Sequence, residues 1–308
     1  MKNSPVWRTS LLGAAIALSC TATAHAAANV TSMADGSPAS ASALVDLLLS
    51  PTSGLSVVAG SAQYTGAASA SGTFTNGGAA IGFDSGVVLT TGDARFIGSS
   101  AAFPGDSANK SGTFTAGFGN DLTENTSPGN ALFNGLTSDG SANASILSFQ
   151  FIPQQATLTL SLVFGSEDYN GLIGAGFPTD ALGVFVNGVN LALVPGSLLP
   201  ISASSVNCVG SAHCNLYRDN PAFSDAIDTE LNGLTFAFNL SMPVNVGQVN
   251  SISIGIADSL DSFGDSAVML QAGSIAAVPE PSTYALMLAG IAAVGFSARR
   301  RQAGTAPR

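Results

Sequence analysis

Apolar residues recur at every second position in several separate stretches, and this period of two decides the fold class. In 157–164, Leu158, Leu160, Leu162 and Phe164 alternate with Thr157, Thr159, Ser161 and Val163. Leu147, Phe149 and Phe151 alternate with Ser148 and Gln150, and Ile252, Ile254 and Ile256 with Ser251, Ser253 and Gly255. Phe236, Phe238 and Leu240 repeat the pattern. Successive side chains of a strand point to opposite faces, so each stretch has one face for a core and one for water. Residues 55–59, 86–91 and 268–275 are further strand candidates. Val186-Asn187-Gly188-Val189 lies between apolar runs and predicts a type I′ hairpin, whose two central residues both need positive φ. One helix is predicted over 43–49, with Ser42 as its cap, Leu44, Leu47 and Leu48 on one face, and Pro51 beyond its end. Many short strands joined by Gly and Asn turns predict an all-β chain. The expected form is an antiparallel β-sandwich or jelly-roll-like domain with one short N-terminal helix.

The least regular stretch is 92–143, rich in Gly, Ser and Asn, and a loop of that length in a folded domain is expected to be either functional or mobile. Ser-Gly-Thr-Phe-Thr occurs twice, at 71–75 and 111–115, but the likeness goes no further and does not make a repeat architecture.

Charge narrows the partners. Only 9% of the 308 residues are charged, against about a quarter in ordinary soluble domains, which argues against charged bundles and coiled coils. Six of the nine basic residues stand near the two ends, so residues 27–278 hold Arg95, Lys110 and Arg218 against eighteen acids. Such a surface repels phosphate and disfavours nucleic acid, and cations are its natural small partners.

Both ends read as addresses. Lys2 and Arg8, the apolar run 11–18 and Ala24-His25-Ala26 before Ala27 form a secretory signal over 1–26, with cleavage after Ala26. At the other end, Pro279-Glu280-Pro281 precedes an apolar run, 284–296, and then Arg299-Arg300-Arg301. A helix of that length covers about 20 Å, short of a hydrocarbon core of about 30 Å, and the arginines would stay cytoplasmic. The segment reads as a temporary membrane stop. The triplet, the apolar helix and the Arg cluster together resemble the PEP-CTERM sorting signal of Gram-negative bacteria. The resemblance implies recognition by an exosortase, a membrane-bound processing enzyme. It also implies transient inner-membrane insertion, then release or transfer to the surface of cells that make exopolysaccharide.

The body has its own resemblance. It is carried in order by Ala43-Leu44-Val45-Asp46-Leu47-Leu48, Gly82-Phe83-Asp84-Ser85-Gly86-Val87-Val88-Leu89-Thr90-Thr91-Gly92, Val163-Phe164-Gly165-Ser166-Glu167-Asp168-Tyr169-Asn170, Asp180-Ala181-Leu182-Gly183-Val184-Phe185-Val186-Asn187-Gly188 and Ile256-Ala257-Asp258 through Asp261 to Asp265-Ser266-Ala267-Val268. This is similar to the choice-of-anchor L domain, whose members carry different surface-sorting tails. One departure is Ser141-Ala142-Asn143-Ala144 before the 147–151 strand, a stretch in which the family usually has an aspartate. The expected division is a signal peptide over 1–26, a linker over 27–42, the β domain over 43–275, the sorting and anchor segment over 278–302 and a tail over 303–308.

The candidate chemistry is sparse. No nucleophile elbow, His-Glu-x-x-His or Walker loop occurs, and a Ser-His-Asp site would need His213, which lies between Cys208 and Cys214 and reads instead as an exposed loop residue. Cys208 and Cys214, two cysteines of an exported chain, predict a local disulfide. Asp258, Asp261 and Asp265 follow the 252–256 strand, Glu167 and Asp168 follow 157–164, and Asp180 precedes another strand. Acids at several strand ends could converge at one edge of a sandwich and hold calcium, which takes six to eight oxygens, with Asn170 and Asn187 as helpers. Asx-turns capping strand ends would give the same pattern. The reading is a non-enzymatic exported protein of the cell surface or of an exopolysaccharide or biofilm matrix, with a structural or adhesive role. The alternatives are a secreted hydrolase using Glu167, Asp168 or Asp180, and a glycan-binding module built on Tyr64, Tyr169 or Tyr217.

Overall fold

Two antiparallel sheets lie face to face in a computed structural model that describes residues 28–98, 125–137, 140–169, 173, 179–210, 213–221, 227–259, 264–279 and 291–292. In chain order the elements are β1 (Asn29–Ser32), α1 (Ala41–Leu48), β2 (Leu55–Val57), β3 (Gln63–Thr65), β4 (Ser71–Thr75), β5 (Gly86–Thr90), β6 (Ser141–Pro153) and β7 (Thr157–Ser166). They continue with β8 (Ala181–Val186), β9 (Val189–Asn190), β10 (Tyr217–Asp219), β11 (Gly233–Thr235), β12 (Phe238–Pro243), β13 (Asn250–Ser259), β14 (Ser266–Gln271) and β15 (Ala276–Val278).

The larger sheet runs β1-β4-β5-β14-β7-β11-β10. Its strand β7 is long enough to serve two neighbours on each side: β14 then β15 on one, β11 then β12 on the other. The smaller sheet runs β2-β6-β13-β8-β9, with β3 also on β6. The alternating leucines and phenylalanine of β7 meet Leu147, Phe149 and Phe151 of β6 and Ile252, Ile254 and Ile256 of β13 in one core. The other faces of β7 and β14 are also covered. Val163 and Met269 pack with Phe74, Ile81 and Leu231 in a second cluster outside the larger sheet. Phe133, from the long predicted loop, seals the outer face of the smaller sheet against Phe185, ring centroids 5.5 Å apart.

Several boundaries differ from the sequence reading. The helix begins two residues earlier, and its cap is Ser40, whose Oγ accepts the Ala43 N–H at 3.3 Å. Leu44, Val45 and Leu48 enter the core, and Leu47 is only half-buried. The 268–275 candidate is strand only as far as Gln271, the end of β14; a turn at Ala272 and Gly273 follows, and β15 begins beyond it at Ala276. Phe236 lies outside any strand and is 52% exposed. Leu234 pairs with Gly165 but Phe238 pairs with Leu162, so one extra residue is inserted there. That bulge puts Phe236 and Phe238 on opposite sides despite their spacing of two. The hairpin is as expected, with Asn187 at φ 50° and Gly188 at φ 83°. Ser71–Thr75 forms β4, whereas 111–115 lies outside the described residues, as do Ala24, Ala26, Ala27 and nearly all of the C-terminal apolar run.

Candidate functional site

The inward face of each central strand is apolar until one end of the sandwich, where it turns polar. Continuing the alternation past Leu89, Val268 and Phe164 of the larger sheet gives Thr91, Ser266 and Ser166. Continuing it past Ile256 and Leu182 of the smaller sheet gives Asp258 and Asp180. Ala257 pairs with Ala181, so these two aspartates are opposite one another at the end of the β13–β8 ladder. Ser266 and Ser166 are opposite one another in the facing sheet. All five side chains are buried, so a single polar layer closes the core at this end.

Hydrogen bonds fix parts of the layer. The Asn143 amide donates to Asp258 Oδ2 at 2.8 Å, and the Ser259 N–H donates to Asp180 Oδ1 at 3.2 Å. Asp168, just beyond β7, accepts the Asp180 N–H at 3.0 Å and thereby ties the two sheets together. Gly264 passes so close to Asp168 Oδ1 that a Cβ would sit 3.0 Å from it, at a φ of +80° that also suits glycine. Glu167 Oε2 accepts the Asp265 N–H at 3.2 Å. Asp180 Oδ2, Asp258 Oδ1, Ser259 Oγ and Ser266 Oγ are buried with no hydrogen-bond partner.

The electrostatics are one-sided. Burial, then the charges of Asp168 and Asp258, holds the Asp180 carboxyl well above the usual carboxylate range, against the downward pull of Ser266 and the Ser259 N–H. Burial also raises Asp258 well above that range; Thr91 and Asn143 pull it down, and Asp265 and Asp168 push it up. Of the two described basic side chains, Arg95 pairs with Asp93 and Asp35, and Arg218 lies over the Phe236 ring. Among the described residues no three His, Cys, Asp or Glu side chains are arranged to hold a metal ion by themselves. Any cation here would therefore rely on two carboxylates together with hydroxyl and amide oxygens.

Of the acids singled out in the sequence, Asp168, Asp180, Asp258 and Asp265 come together here, with Glu167 at the margin. Asp261 and Asn170 lie outside the described residues. Asn187 is no helper: it sits at the far end of β8, bonded to Asn250 and to the Ser251 N–H. Ser266, Ser259, Thr91 and Asn143 escaped the sequence reading, which followed charges. The parity of each strand, carried two residues past its last apolar side chain, would have found Ser266 and Thr91. An open cavity of about 410 Å³, lined in part by Thr179, Leu199, Ile201 and Ser204, leads to Asp180 and Ser259.

Elsewhere, Cys208 and Cys214 are joined in a disulfide with Cα atoms 4.4 Å apart. His213 beside it is half-buried rather than exposed. The tyrosines offer no exposed platform. Tyr169 is fully buried, its ring 4.7 Å from that of half-buried Tyr217, and Tyr64 is half-buried with its hydroxyl donating to the Ala67 carbonyl.

The fold and tail thus define an exported β-sandwich carrying a sorting segment. The model of the choice-of-anchor L domain matches residues 32–276, and that of the PEP-CTERM protein-sorting motif matches 277–301. The chain belongs to the choice-of-anchor L domain family, and its tail marks it for exosortase-type sorting out of the cell. No curated protein and no solved structure matches it. Among the described residues no helix is long and apolar enough to cross a membrane.

Proposed function

We propose that the protein is a non-enzymatic structural or adhesive component of a Gram-negative cell surface or of its exopolysaccharide matrix, anchored transiently in the inner membrane before processing. The observation that carries this reading is the join between domain and tail. The sorting motif begins within β15, whose Val278 pairs with Thr157 at the start of β7, and the polar layer lies past Ser166 at the other end of β7. At about 3.3 Å per residue the ten residues of β7 separate the two by about 30 Å. A tail-held domain therefore carries its buried polar layer at the end away from the tail. That arrangement leaves the end remote from the tail to meet a matrix, and the sorting motif starts within the sheet itself.

The test compares a deletion strain with its complement. The expected result is that the protein sediments with the exopolysaccharide and that the deletion strain retains less polysaccharide, of unchanged chain length. New reducing ends on incubating purified protein with that polysaccharide would instead establish the hydrolase reading on Glu167, Asp168 or Asp180. A matrix unchanged by the deletion, with no co-sedimentation, would overturn the proposal.

A further inference from the structure

We propose that the polar layer is a calcium site that fastens the two sheets together, with Asp180 and Asp258 of the smaller sheet and Ser266 of the larger sheet as its first ligands. The reasoning starts from two carboxylates placed opposite one another at the end of a ladder and removed from water. Two such charges repel, and among the described residues no basic side chain lies against either. One oxygen of each, Asp180 Oδ2 and Asp258 Oδ1, is left without a partner although the other oxygen of each is held by a hydrogen bond. A buried carboxylate oxygen without a donor is costly, and a cation removes the cost and the repulsion together.

The second observation is independent of the charges. Ser266 Oγ is completely buried and makes no hydrogen bond of sound geometry, although it stands near enough to the Asp180 carboxylate to pull its pKa down. Ser259 Oγ is also buried and unpartnered, but as the next residue of β13 it faces the opposite side of the sheet from Asp258 and is not counted among the ligands. A hydroxyl idle beside a carboxylate is what an oxygen-coordinated ion uses. The donor set is entirely oxygen and has only two unengaged carboxylate oxygens, with neutral oxygens for the remainder. Calcium tolerates such a mixed and irregular shell, whereas magnesium demands near-ideal octahedral geometry and keeps its waters. The cavity reaches Asp180, while Asp258 and Ser266 do not line it.

The test uses the purified full-length protein with calcium chloride as the only added ligand. Calcium is expected to raise Tm by several degrees, increasing with the logarithm of its concentration, and magnesium at equal ionic strength to do far less. Asp258→Asn and Asp180→Asn keep the shape and remove one of the repelling charges. In chelator both variants should melt at or above the wild-type temperature, and both should lose the calcium increment. Ser266→Ala should fold and show at least a tenfold weaker calcium midpoint. Asp46→Asn, on the exposed face of α1, should respond as wild type does. Equal effects of calcium and magnesium on the wild type would overturn the proposal. So would a full calcium response in a folded Asp258→Asn. If both Asn variants melt lower in chelator, or fail to fold, the aspartates serve as turn caps and the proposal falls.

Discussion

Tyr169 and Tyr64 are held neutral by their surroundings. Burial, then the neighbouring Tyr217 and Asp168, pushes the Tyr169 hydroxyl well above 10.0. Burial raises Tyr64 as well, partly offset by Ser145 and Ser71. A phenol whose folded pKa exceeds its unfolded value keeps its proton longer in the native state. Stability is then complete below pH about 10 and falls as pH climbs past it. Two of the four tyrosines should therefore ionise only as the chain unfolds in alkali, read by ultraviolet absorbance beside circular dichroism. Reversible titration of all four near pH 10 with the fold intact would show that this packing is wrong. At this scale the sequence was half legible. The aspartates stood out by charge, and their convergence followed from their places at strand ends. Ser266 did not stand out by charge and is marked in the sequence only by the parity of its strand, whereas Ser259 is distinguished by burial alone.

Among the elements, β7 bears the most. It is paired along both edges, and its inner face fills the middle of the core. Leu162 is fully buried there, so Leu162→Ala should cost about 2–5 kcal/mol in denaturant unfolding. Val189 of the two-residue β9 is 59% exposed, and Val189→Ala should change stability by less than about 0.5 kcal/mol. Equal losses at the two sites would contradict the assignment of β7 to the centre. The long strands were readable because one face of each meets the other sheet and so alternates cleanly. Strands such as β3, β10, β11 and β15 are three residues long, too short to show any period. The Phe236 bulge hid for a related reason: an inserted residue breaks the parity on which the reading depends.

For the whole molecule, processing is the first question. Mass spectrometry of the surface-located protein should find Ala27 as the first residue and a C-terminus near Pro279-Glu280-Pro281. Surface protein that still carries Arg299–Arg301 would refute the second cut. The two family matches meet between residues 276 and 277, inside β15, so the strand that ends the sandwich also begins the sorting segment. That strand is gripped from both sides. One edge pairs with Thr157–Thr159 of β7, and on the other Ile275 and Ala277 donate to the carbonyls of Leu48 and Ser53 while Ser50 donates to Ile275. When the tail is pulled away from a domain held at its far end, the force runs along the axis of β15. The flanking hydrogen bonds are then loaded together, in shear, instead of being unzipped one at a time. A protein tethered in flowing water by this end would stay folded under tension that would strip a strand peeled sideways from a sheet edge.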